Sequence, residues 1–397
     1  MITVKKINHF IIANSSWTED KLKFRRHRIA EYLLNRKDTN SVYWIYPISV
    51  HSSTNLKEYY RSLTKNIVTL DNGIQSVGLF DIKGFFKHNK NSLFLDKQIL
   101  KRVFNNASKD CFNYLWYTNP SFSWLMEDYE WDKITYDCSD LWTDPFLKRN
   151  GLVGYLENIR TSKVVNSEIN IINRSNKITT TSGYLSNKIT QNHDKQVLII
   201  ENGVEFDLFT NEHIEQEILD KFDKIPTPRL GFVGGLKHKI DFELLYETAV
   251  REKSYSIVLV GPIPKNQPKD LNDLLALDNV YYLGPVEAEK VPQYMKCLDI
   301  GLLPYKEIEY NKAISPLKLF EYIAAGIPCI GCGLPMTAKY EKKDMYKHIT
   351  RDVELFIKTC NEFLSNNNSE LVKMREQEAE KHSWDKKLIE IYDYSQS

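Results

Sequence analysis

The run Asn311–Gly331, NKAISPLKLFEYIAAGIPCIG, constrains this chain more than any other stretch. It reads as a loop, a short helix, a tight turn and a buried strand. Ser315 is a good helix N-cap, and Pro316 suits the first helical position, where the amide needs no partner. Gly326 closes the helix and Pro328 prevents its continuation. Leu317, Phe320 and Ala324 fall on one helical face and can pack against a sheet. Lys318 and Glu321, three residues apart, share another face near the helix start. The free amides of a first turn, with the helix dipole, suit a diphosphate. Lys318 adds a full positive charge there. One turn on, the acceptor-only carboxylate of Glu321 can take two hydroxyls of a ribose. The plainer alternative is a capped helix with an intrahelical ion pair worth about 0.2–0.5 kcal/mol.

A chain of 397 residues exceeds one ordinary core, so two domains are expected. With 42% hydrophobic and 26% charged residues, the composition is that of a soluble globular protein. A formal net charge of +1 supplies no global field, so nucleic acid is not an expected partner. The six cysteines (111, 138, 297, 329, 332, 360) are scattered and often flanked by apolar residues, as in a reduced core. Cys329 and Cys332 form a lone CxxC without a second pair or a histidine, so a structural role is favoured over a metal site. The sequence has no apolar run of about 18 residues, and the first apolar run is too short for a signal peptide. A cytoplasmic protein is expected.

Strand and helix patterns alternate along both halves. In the first, His9–Ala13, Val42–Tyr46 (ended by Pro47), Cys111–Tyr117, Trp131–Asp140, Ile178–Thr181 and Val197–Ile200 read as strands. Lys21–Leu34, Phe94–Val103, Leu156–Asn173 and Gly183–Thr190 read as helices. In the second, Leu230–Val233, Tyr255–Gly261, Asn279–Gly284 and Asp299–Leu303 read as strands, the last running into Pro304-Tyr305. This alternation predicts Rossmann-like parallel sheets, whose sites lie at strand carboxyl ends. Pro-rich Lys224–Arg229 reads as the interdomain linker. The boundaries are then 1–223 for the N-terminal domain, rejoined by a terminal helix 383–397, and 229–382 for the C-terminal domain. Gly234-Gly235 follows a strand directly and lets backbone approach a ligand, although such a pair is more often just a turn. Asp241 can cap the next helix. Lys21, Lys23, Arg25, Arg26 and Arg28 crowd a helix start, where cations oppose the dipole. They form either a solvated basic surface or a contact with phosphates of an acceptor or an anionic membrane surface.

SPLKLFEYIAAGIPCI resembles the donor-binding segment of GT-B glycosyltransferases of the family 4 type, where a P-x-K-x-x-E-x-x-A-x-G-x-P-V run is common. The resemblance continues through the tryptophan and R-R-H of the first helix, the YP and NP strand ends, YDCSDLW, and ENGVEFDLF. It covers nearly the whole chain, and is specific in the second half and loose in the first. It is similar to bacterial enzymes of teichuronic acid, capsule and exopolysaccharide assembly. The resemblance implies an α/β GT-B fold, two Rossmann-like domains facing across a cleft, with acceptor bound by the first and nucleotide-sugar by the second. It implies that Ser315, Pro316, Leu317 and Lys318 line the diphosphate and that Glu321 holds the ribose. Gly234, Gly235, Lys239 and Tyr305 join the donor site, and the Gly284–Val286 loop meets the base. Three departures stand out. Ala313 occupies the place of a second glutamate found in many retaining members, Glu201 replaces proline before NGV, and Gly235 takes the place of the usual arginine.

The implied reaction moves a sugar from a nucleotide-sugar, a UDP-sugar first, to a saccharide or lipid-linked saccharide. No D-x-D motif is present, which agrees with transfer that needs no metal or other cofactor, the leaving diphosphate being stabilised by Lys318, Lys239 and helix amides. An inverting enzyme needs a general base near the acceptor hydroxyl. Asp140 is the first candidate, Asp137 the second and His88 the third; a retaining enzyme needs none of them. Peripheral membrane contact through Lys21–Arg28 accompanies a lipid-linked acceptor. The rival readings are a nucleotide-sugar 2-epimerase of the same fold and a non-catalytic partner subunit.

Overall fold

The computed structural model describes residues 5–19, 23–48, 67–80, 90–143, 151–315 and 317–397. Lys21, His88 and Pro316 lie outside them. The chain divides into two compact units, one taking Met1–Ile200 with Glu390–Ser397, the other Glu201–Ile389. The division therefore falls before Glu201, not in the Pro-rich stretch 224–229. The reason is apolar: Phe209, Ile218, Phe222 and Ile225 are buried in the core of the second unit, which takes the helices Phe206–Thr210 and Gln216–Phe222 with it. The terminal helix Trp384–Gln396 starts in the second unit and ends in the first.

In the first unit the described strands are β1 (Ile7–Ile12), β2 (Thr39–Ile48), β3 (Val68–Thr69), β4 (Gln75–Phe80), β5 (Phe112–Tyr117), β6 (Lys133–Cys138), β7 (Lys177–Thr180) and β8 (Val197–Ile199). They form one sheet in the order β3-β4-β2-β1-β5-β6-β7-β8, parallel except for the short β3. β1 is buried at every position, as a central parallel strand must be. β2 does not stop at Pro47 but runs through it to Ile48. Its pairing with β1 ends at Ile45, and only β4 lies beside it beyond that point, so the proline's missing N–H faces no second neighbour. The first helix begins at Arg25 and not at Lys21.

The second unit contains β9 (Arg229–Val233), β10 (Ser256–Val260), β11 (Val280–Tyr282), β12 (Ile300–Pro304), β13 (Cys329–Cys332) and β14 (Tyr346–His348). All are parallel, in the order β11-β10-β9-β12-β13-β14. Connections leave β9 in one direction and β12 in the other, so the strand order reverses between these two. A crevice at strand carboxyl ends is expected there. Cys329 and Cys332 are free, fully buried thiols of β13, with pKa values pushed up by burial, Cys332 to about 12. They fill core positions.

The Leu317–Ala324 helix sits over this reversal. Its buried residues, Leu319, Phe320, Tyr322, Ile323 and Ala324, cover more than the single stripe expected. Tyr322 explains the difference. β9 and β12 pair only at two positions, Ile300 with Leu230 and Gly301 with Gly231, and then part. The Tyr322 hydroxyl donates to Gly231 O at 3.1 Å and accepts from Val233 N at 2.9 Å, so it satisfies the β9 backbone that β12 leaves. Its ring lies so close to β12 that a Cβ on Gly301 would come within 2.3 Å of it.

Candidate donor site

The expected donor residues of the second unit converge on the carboxyl ends of β9 to β13. Gly234 follows β9, and its N–H donates to Val260 O at 2.8 Å. Gly261 follows β10 at φ +136°, and a Cβ there would stand 2.0 Å from Gly234 O. No other residue fits this crossing, which brings the β9 and β10 exits into contact. Gly261 N in turn donates to Gly284 O at 2.8 Å. Gly284 itself adopts φ +78° in open surroundings, so its left-handed conformation and not close packing calls for glycine. Val286 packs, half-buried, against the core edge. Gly235 lies under the stem of Lys237, whose Cε would be 3.2 Å from an added Cβ.

Lys318 reaches toward this floor. A Cβ on Gly234 would be 3.5 Å from Lys318 Cε, an ordinary contact distance, so the lysine stem passes directly beside this backbone. Lys318 Nζ lies 2.5 Å from Glu321 Oε2, and the two side chains keep 22% and 16% of their exposure. The intrahelical pair is therefore real, and its heads remain within reach of solvent. Leu317 is half-buried at the helix start. The Ser315 hydroxyl accepts the Asn202 N–H at 3.0 Å, tying the ENGV segment to this helix. Glu201 pairs with Lys339 at 2.9 Å. Burial nevertheless pushes the Glu201 carboxyl upward, because the lysine offsets only part of its desolvation.

Tyr305, after β12, is buried edge-on to Phe232, and burial together with the nearby Glu321 charge raises its phenol. Lys239 places its ammonium 5.5 Å from the Tyr305 ring centre and 5.7 Å from that of Tyr310. Its loop is laced to the β12 exit: Lys239 O accepts from Lys306 N at 3.0 Å and from Asn311 Nδ2 at 3.1 Å. Asn311 is fully buried and also donates to Lys306 O at 2.7 Å. Asp241 caps the following helix as expected, accepting from Leu244 N at 2.9 Å. Sequence reasoning gave no role to Tyr322, Gly261, Asn311 or Asn202. Only Gly261, a glycine directly after an apolar strand, carried a usable signal.

In the first unit the candidate bases separate. Asp137 is buried and engaged on both oxygens: Arg25 donates to Oδ1 and Oδ2 at 2.8–3.1 Å, and Thr179 Oγ1 to Oδ1 at 2.6 Å. Asp137, the second candidate base, is thus an ion-paired carboxylate of the interior whose two oxygens already have partners. Asp140 is half-buried at the β6 exit, with its carbonyl accepting from Trp142 N at 3.0 Å. His88 lies outside the described residues. A further carboxylate, Glu168, accepts from the Tyr136 hydroxyl at 2.6 Å and is pushed upward by burial.

Of the basic helix start, Arg25 is buried, Arg26 and Arg28 are half-buried and Lys23 is exposed. Arg25 serves Asp137, Arg26 donates to Ser15 Oγ at 3.2 Å, and Lys23 pairs with Glu31 at 2.9 Å. Among the described residues, no cluster of His, Cys, Asp and Glu could hold a metal ion, and no helix is long and apolar enough to cross a membrane.

Known proteins match this architecture. A family model described as "Glycosyl transferases group 1" matches residues 227–366, the segment that carries most of the candidate donor residues. A Bacillus subtilis (strain 168) protein with the provisional name of teichuronic acid biosynthesis glycosyltransferase TuaH is 36% identical over 406 residues, covering 100% of this chain and 98% of its own. Among solved structures, sucrose-phosphate synthase from Thermosynechococcus elongatus superposes with a TM-score of 0.66 at 11% identity, over 98% of each chain. Anabaena HepE, crystallised with UDP and glucose, gives 0.65 at 11% identity over 99% of this chain and 100% of its own. These two are similar in fold alone. With the whole-length relative, they place the chain in the GT-B fold, and the protein belongs to the group 1 glycosyl transferases.

Proposed function

We propose that this glycosyltransferase takes its sugar from a nucleotide-sugar, a UDP-sugar first, and passes it to a saccharide or lipid-linked saccharide during assembly of a cell-surface polysaccharide. The observation that carries the donor half is the Lys318–Glu321 pair held over glycines at the point where the strand order reverses. A cation, first-turn amides and side-chain-free backbone suit a diphosphate, and the carboxylate suits ribose hydroxyls. The fold neighbour HepE was solved with UDP and glucose, which supports uridine as the first base to test. The full-length relative named for teichuronic acid biosynthesis supports a cell-surface product.

In this reading Lys318, Lys239 and helix amides stabilise the leaving diphosphate without a metal ion. Ser315, Pro316 and Leu317 shape the diphosphate pocket, Gly234, Gly235 and Tyr305 border it, and Gly284 and Val286 meet the base. Asp140 is the general base if the reaction inverts. The enzyme works in the cytoplasm, at the inner face of the membrane when its acceptor is lipid-linked. Peripheral contact through Lys21–Arg28 then rests on charge. Unchanged sedimentation with anionic vesicles after charge reversal at Lys23 and Arg28 removes that part.

Calorimetric titration of UDP and GDP into wild type and Glu321→Ala tests the donor site. Loss of one charge-assisted ribose contact is expected to cost about 1.5–3 kcal/mol of binding. Absence of binding of either nucleotide to the wild type overturns the reading.

A further inference from the structure

The candidate donor site is not an array of open charges. Lys318 Nζ is already held by Glu321 Oε2 at 2.5 Å, in a partly desolvated setting. An inorganic anion approaching Lys318 meets a neutral pair whose carboxylate repels it. A nucleoside approaching Glu321 meets a carboxylate already engaged by an ammonium. Only a ligand carrying both a diol and a diphosphate replaces the bond on each side at once.

We infer that the Lys318–Glu321 pair couples the two halves of the donor nucleotide, so that the site discriminates against free phosphate and pyrophosphate and against a bare nucleoside. The inference rests on the donor-site reading above and adds a specificity mechanism to it. Ribose hydroxyls donate to Glu321 and draw it from the lysine; the released ammonium then donates to the diphosphate. Each half raises the affinity of the other, as linkage through a shared contact requires. The geometry allows this exchange. The Lys318 stem passes beside Gly234, and the two heads share one helical face three residues apart.

The test is a calorimetric titration of pyrophosphate, uridine and UDP into wild type, Glu321→Gln, Lys318→Met and the double variant. Glu321→Gln is expected to bind UDP more weakly yet pyrophosphate roughly tenfold more tightly, because one repelling charge leaves and the lysine is released. That gain is expected to vanish in the double variant. Lys318→Met is expected to weaken UDP while leaving uridine as tight as in wild type or tighter. This arm stands independently if Glu321→Gln folds poorly. Pyrophosphate bound no more tightly by Glu321→Gln than by wild type overturns the coupling, as does a gain that survives in the double variant. UDP binding by wild type, lost in Glu321→Ala, together with a failed pyrophosphate arm, removes the coupling and keeps the donor site. No UDP or GDP binding by wild type removes both.

Discussion

Both sheets reverse their strand order once, but they treat the reversal differently. In the first unit it lies between β1 and β5, and it is closed by short polar side chains. Thr118 Oγ1 and Asn119 Nδ2 both donate to Ile12 O, at 2.7 and 3.1 Å. One of its charge pairs, Arg25 with Asp137, is buried. In the second unit, β9 and β12 part early and Tyr322 fills the gap from one side. The other side is floored by glycine backbone, and its charge pair stays at the rim. A buried pair orders a fold, whereas a rim pair remains available for exchange with a ligand. The comparison shows why two carboxylates expected at a site, Asp137 near the end of β6 and Glu321 on the Leu317–Ala324 helix, have opposite consequences.

Asp137→Asn breaks the buried pair and leaves Arg25 without its counter-charge. Stability is expected to fall by about 3–5 kcal/mol in thermal or urea unfolding, while UDP affinity of the folded protein stays unchanged. Intact stability with lost transfer would return Asp137 to the reaction.

Gly261→Ala drives a Cβ into Gly234 O and forces a left-handed backbone. A loss of about 3 kcal/mol is expected, read as a lower unfolding midpoint and weaker UDP binding. Gly284→Ala sharpens the contrast, since open space there leaves only the conformational cost of about 1–2 kcal/mol. Equal effects would mean that the crossing is not what demands glycine.

Tyr322→Phe leaves the buried Val233 N–H and Gly231 carbonyl without their shared partner. A loss of about 1–3 kcal/mol is expected, with β9 amides exchanging faster in hydrogen-exchange measurements. Unchanged protection at Val233 would remove the splint role.

The smallest effect is acid sensitivity from histidines held neutral by burial: His9 in the first unit, and His382 with, to a smaller degree, His348 in the second. Burial holds His9 at about 3 in the first and His382 at about 4 in the second, against 6.5 in an unfolded chain. His9 also feels Asp38, which raises it, and Arg36, which lowers it; Glu378 raises His382, while Lys387, Lys381 and Lys339 lower it. Both are neutral when folded, so the unfolded chain binds more protons below pH 6.5. Stability is therefore full above that pH, falls as pH drops through 6.5, and stops falling for each group below its folded value. Roughly 0.7 kcal/mol per histidine is expected to be lost between pH 7 and 6, and His382→Gln is expected to remove one share.

Much of this molecule was legible in the amino-acid order. Apolar runs of strand length separated by helical patterns marked both parallel sheets, because burial on two faces demands such runs. The stretch up to Gly331 announced a helix closed by Gly326 and followed by a buried strand, and Lys318 and Glu321 do share a face, because helical spacing alone places residues three apart together. Other features arose from contacts between residues distant in sequence. Asp137 and Glu321 are both carboxylates at expected site positions, yet Arg25, 112 residues away from Asp137 in the chain, decides that one is buried structure. Tyr322 had no role in the sequence reading; the parting of β9 and β12 gives its hydroxyl two backbone partners. Pro47 reads as a strand end until the neighbouring strand's own end removes the need for its N–H. The division between units moved upstream of the Pro-rich stretch because apolar side chains, not linker composition, decide which core a helix joins. Local order thus determined the elements, their caps and the residues that can face a nucleotide, since these follow from short-range sterics and periodicity. Only the tertiary structure decided which charges were buried or left at the rim and which glycines must stay bare, because those depend on what folding brings alongside.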